Sequence, residues 1–117
     1  MQNPFIIPDG FTLEGHTDMV PGALRETRFK YRLAKPTAVA AVTGSFGESK
    51  AAAKAKCVAE HTSNWRVVND DGSEEQIAVT AEMLMNAPAA IQDTAFGYVL
   101  ANIGPDVRRE VGQSRAG

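Results

Sequence analysis

Cys57 and His61 are the chain's only thiol and one of its two imidazoles, and they stand four residues apart. On a helix that spacing puts both on one face, where they could share a metal ion or pair as nucleophile and base. A structural zinc takes four protein ligands and a catalytic one usually three. The third would have to be His16 or a carboxylate, and nothing in the residue order brings one near. Reactive cysteines gain thiolate character at helix N-termini, whereas Cys57 falls in the middle or end of its helix. The plain reading is a buried cysteine and a surface histidine, with no metal and no other cofactor. The segment Gly44-Ser-Phe-Gly-Glu-Ser-Lys50-Ala51 has the composition of a phosphate loop in the wrong order. Such a loop needs Gly directly before Lys and Ser or Thr directly after it; here Ser49 precedes and Ala51 follows. The carboxylate pairs Asp70/Asp71 and Glu74/Glu75 sit in or beside a turn, where solvated acids are the default. No catalytic residue is expected.

Charge is the stronger signal. The net charge is only −2, yet residues 25–56 hold eight bases and two acids, a net of +6. Residues 60–93 hold one base and seven acids, a net of −6. Opposite blocks of equal size can pair within a molecule or between neighbours; the plain alternative is two solvated faces. The basic block contains Arg28, Lys30 and Arg32, which point the same way on a strand. They could track nucleic-acid phosphates, but a pI of 5.6 argues against an electrostatic nucleic-acid binder. An assembly surface is the better expectation, with Arg28, Lys30 and Arg32 on one side and Asp70, Asp71, Glu74 and Glu75 on the other.

The elements that must position these residues follow from periodicity and punctuation. Residues 1–10 read as an extended arm, 11–16 as a short strand, and Pro21-Gly22 as a turn. From 25 to 33 apolar and basic residues alternate: Thr27, Phe29, Tyr31 and Leu33 on one face, Arg28, Lys30 and Arg32 on the other, a half-buried strand. Pro36 suits the first turn of a helix over 37–43. Ser45 and Glu48 have capping-box spacing ahead of a helix from about 46 to 62. Residues 65–68 and 76–79 read as strands around Asp71-Gly72. Thr80 is a good N-cap for a helix over 81–86. Pro88 opens a last helix, 88–103, stopped by Gly104-Pro105. The fold class is therefore α+β: two short β-hairpins packed with about three α-helices, one domain over 1–104 with a polar tail over 105–117.

At 117 residues the chain holds one modest core, with Phe11, Phe29, Tyr31, Trp65, Phe96 and Tyr98 as its expected anchors. A thin core favours a homo-oligomer. One cysteine excludes an internal disulfide and suits a reducing compartment. No apolar run approaches the roughly 20 residues that span a bilayer, and the first residues lack the features of a signal peptide. The chain is expected in the cytoplasm, with no membrane and no nucleic-acid partner.

The order Phe29-Lys-Tyr31-Arg32, an Ala/Lys-rich helix, Trp65-x-Val with Asp70-Asp-Gly72, Ile77-x-Val-Thr80-Ala-Glu82, and a closing helix with Tyr98-Val-Leu-x-x-Ile103 resembles the tail assembly chaperones of long-tailed phages and prophages. The likeness covers about residues 25–103. It implies a non-enzymatic protein that self-associates and coats the tape-measure protein before the tail tube polymerises, in the cytoplasm of the bacterial host. Well-known members are largely helical, so the hairpins depart from them. The alternative is a structural virion component: a tail-tube, head–tail connector or decoration subunit.

Overall fold

In the computed structural model, residues 10–17 and 26–106 are described. The expected arm (apart from Gly10), the Pro21-Gly22 turn and the tail beyond Asp106 lie outside them. The chain runs β1 (Leu13–Thr17), β2 (Thr27–Tyr31), α1 (Pro36–Thr43), α2 (Gly47–His61), β3 (Thr62–Val68), β4 (Glu74–Ile77), α3 (Ala81–Met85) and α4 (Ala89–Val99). The strands form one antiparallel sheet in the order β1-β2-β3-β4. The two expected hairpins are thus joined edge to edge, β2 against β3, and the described residues form four helices rather than three.

Alternation in β2 buries Phe29 and Tyr31 and leaves Lys30 exposed. Keeping Trp65 on the same face requires a correction in β3. Ser63 lies opposite Lys30 and Arg66 opposite Arg28, so two residues of β3, Asn64 and Trp65, oppose Phe29 alone. This is a β-bulge, with Asn64 at φ 50°; asparagine tolerates that left-handed conformation better than most residues. Without the extra residue the strict period of two would turn Trp65 outward. With it, Trp65 is 4% exposed, stacks on Phe29 with ring centroids 4.4 Å apart, and donates from Nε1 to the Thr62 hydroxyl at 2.9 Å.

The core forms where Phe29, Tyr31 and Trp65 meet Val58 of α2, Leu84 of α3 and Ala95, Tyr98 and Val99 of α4. Tyr98 meets Phe29 edge-on at 5.5 Å. Its approach is allowed by Gly15 on β1, where a Cβ would lie 3.0 Å from the Phe29 ring and 3.1 Å from that of Tyr98. Of the expected anchors, Phe11 is exposed and Phe96 only half-buried. Phe11 precedes the first strand and stays outside the core, 47% exposed.

Several boundaries differ from expectation for local reasons. The Ser45–Glu48 capping box does not form: the N-cap of α2 is Phe46, without a side-chain cap, and the Ser45 hydroxyl instead donates back to the Ala41 carbonyl of α1. The strand β3 starts three residues early because α2 passes into it without a loop; the Thr62 hydroxyl donates to the Val58 carbonyl at 2.6 Å and closes the helix end. The strand β4 also lies two residues early, since the Asn69 N–H reaches the Ser73 carbonyl at 2.8 Å and brings Glu74 opposite Val68. The last helix stops at Val99 rather than 103. Ala101 adopts φ 63°, its N–H donates to the Tyr98 carbonyl and that of Asn102 to the Gly97 carbonyl, which is the Schellman closure. Ile103 then folds back onto Gly97, where a Cβ would lie 2.8 Å from it. Thr80 caps α3 as expected, accepting from the Met83 N–H at 3.2 Å.

Candidate interaction surfaces

The face of the sheet opposite the described helices carries Arg28 and Lys30 of the expected basic strand. Register places Glu14, Arg28, Arg66 and Glu74 on one face across the four strands. Arg66 Nη2 donates to both Glu14 carboxylate oxygens at 2.8 and 3.1 Å, and its Nη1 lies 3.7 Å from Glu74. Arg28 donates to Glu74 at 3.3 Å and to Glu26 at 2.9 Å. Two of the expected assembly residues, Arg28 and Glu74, are therefore engaged with each other inside the chain. Lys30 and Arg32 stay exposed, with no ionic partner among the described residues.

The acidic turn is tied by local hydrogen bonds. Asp71 accepts from the Ser73 hydroxyl at 2.6 Å and the Ser73 N–H at 2.9 Å, and these bonds hold its carboxyl below the usual range. Gly72 takes the positive φ of 88° that the turn requires. Asp70 and Glu75 project into solvent without a basic partner among the described residues.

On the helix-side face, an open cavity of about 460 Å³ lies between the β3–β4 end of the sheet and the α3–α4 corner. Trp65, Ile77, Val79, Met83, Leu84 and Ile91 line it. Trp65 forms part of the sheet side and Met83 stands 47% exposed at the mouth. Glu75 shares the face of Ile77, two residues away on β4, and Glu82 adjoins Met83; both are exposed and lack a basic partner among the described residues. Sequence reasoning missed this groove. Its available signal was the stretch 67–106, which supplies β4, α3 and α4 and contains seven acids but no Lys, Arg or His.

The thiol and imidazoles are engaged structurally. Cys57 is buried, and burial followed by the nearby Glu60 carboxylate pushes its thiol pKa up. His61 Nδ1 donates to the Cys57 carbonyl at 2.7 Å and lies 3.7 Å from its sulfur. His16 is placed elsewhere: its Nδ1 lies 2.6 Å from Asp106 Oδ2, Tyr98 donates to the other Asp106 oxygen at 3.2 Å, and the Asp106 N–H donates to the Glu14 carbonyl at 2.8 Å. This cluster fastens the segment after α4 to β1. Burial, opposed by the His16 bond and aided by Asp106, pushes the Tyr98 phenol up to about 12. Among the described residues no three His, Cys, Asp or Glu side chains gather as a metal site requires. No helix among them is long and apolar enough to cross a membrane. Compared with known proteins, the chain matches no family model, no curated protein and no solved structure.

Proposed function

We propose that this chain is a non-enzymatic assembly chaperone of a long-tailed phage, holding the tape-measure protein in the host cytoplasm until the tail tube forms around it. The observation that carries this reading is the open apolar groove beside unanswered carboxylates, a surface suited to a reversible macromolecular partner. The segment order between residues 25 and 103 supports it. Apolar contacts with the groove supply affinity, while unpaired charge speeds encounter and makes it salt-sensitive. Lys30 and Arg32 on one copy and Asp70 in the turn of another provide for self-association. The test is co-expression with the tape-measure protein of the same tail gene cluster, followed by affinity capture and size exclusion. A co-eluting complex, together with absence of this chain from purified particles by mass spectrometry, supports the proposal. No complex, or many copies in the particle, overturns it, and the latter outcome favours a structural virion subunit.

A further inference from the structure

We infer that the groove between the β3–β4 sheet face and the α3–α4 corner receives one face of an amphipathic helix from another protein, its apolar residues flanked by Lys or Arg. The inference rests on reading the chain as a partner-binding protein and not on which protein the partner is.

Three features select this occupant. The cavity lies over the face of the sheet, bounded by Trp65 and Ile77 on one side and Met83, Leu84 and Ile91 on the other. An extended peptide added to β4 would pair in the plane of the sheet and leave that space unfilled, and β4 offers only four residues for pairing. A helix lying in the groove instead presents apolar side chains at i, i+3/i+4 and i+7 to one apolar wall. Methionine at the mouth suits this, because its unbranched, polarisable side chain adapts to different apolar surfaces. The charge of the occupant follows from the rim. Glu75 is exposed on the groove face of β4, two residues from Ile77, and the elements from β4 to α4 contribute acids without a single base. A second copy presenting its own groove would set these carboxylates against each other. A partner with flanking cations gains from them at every approach.

The test is an NMR titration of the isotope-labelled full chain with two synthetic helical peptides, one of Leu and Lys at amphipathic spacing and the other with Glu at every Lys position. The expected result is that the Leu/Lys peptide shifts the amide signals of Ile77, Met83 and Ile91 and binds at least tenfold more tightly than the Leu/Glu peptide. Charge reversal by Glu75→Lys with Glu82→Lys, at two exposed positions that preserve the core, should remove that preference. Met83→Glu should weaken both peptides at least tenfold. The inference is overturned by shifts confined to other surfaces, by equal binding of both peptides, by no binding, or by concentration-dependent shifts at the groove in the protein alone, which would identify a second copy as the occupant. If the peptide binds but the tape-measure protein does not co-elute, the chaperone reading fails and the groove inference stands. If the tape-measure protein co-elutes but neither peptide binds, the groove inference fails and the chaperone reading stands.

Discussion

The two faces of the same sheet solve opposite problems. On the face opposite the described helices, Glu14, Arg66, Glu74, Arg28 and Glu26 form a continuous chain of ion pairs, so charges drawn from distant parts of the sequence answer one another. On the helix side, Trp65 and Ile77 line an open cavity, and Glu75, on the same face of β4, has no basic partner among the described residues. The side chains of Glu74 and Glu75 differ in fate only because neighbours on a strand point to opposite faces. A block of charge in a sequence therefore does not define a surface; strand register decides which of its members are consumed internally and which remain for a partner.

The sharpest way to break this comparison is at the residue that follows the bulge and lines the groove. Trp65→Ala should cost about 3–5 kcal/mol of stability, measured by urea unfolding, since it deletes the ring stacked on Phe29 and opens the cavity. Next comes alkaline pH. The unfolded tyrosine titrates near 10 and Tyr98 in the fold near 12, so the folded chain holds that proton more tightly. Stability is then complete below about pH 10 and falls through pH 12, by an amount on the order of 2 kcal/mol. Tyr98→Phe should flatten that part of the pH profile, while Tyr31, whose phenol pKa burial also raises, leaves a residual slope.

The ion-pair face is sharpened by comparing its paired and unpaired bases. Arg66→Ala removes the link between Glu14 and Glu74 and should cost about 1–2 kcal/mol. Lys30→Ala and Arg32→Ala should each stay within about 0.5 kcal/mol of the parent in the same unfolding measurement. The smallest effect is a gain. Ala101→Gly relieves a left-handed alanine at the end of α4 and should raise stability by about 0.5–1 kcal/mol, read as a higher melting temperature.

Much of the architecture is legible in the sequence because local chemistry and fold agree. The alternation around Phe29 and Tyr31 marks β2, Thr80 marks the start of α3, and Asp71-Gly72 marks the tight turn. The departures share a cause, in that the deciding partner lies elsewhere in the chain or is of an unusual type. Ser45 finds a carbonyl in the preceding helix instead of capping the next one. Ala101 occupies a closure position where glycine is the usual signal, so the helical pattern runs on four residues past the true end of α4. The bulge at Asn64 leaves no mark in hydrophobic periodicity until Lys30 and Arg28 are known to flank it. The groove is hidden for a related reason: Trp65, Ile77, Met83 and Ile91 each have the character of ordinary core, and only the packing leaves a gap among them.

On the proposed function, the chain captures the tape-measure protein through the groove side of its sheet and not through the ion-paired face. Capturing the tape-measure protein with Met83→Glu and, separately, with Lys30→Glu tests this most directly. Both variants should fold, Met83→Glu should lose the complex and Lys30→Glu should keep it. Full capture by Met83→Glu, or loss confined to Lys30→Glu, would contradict the assignment.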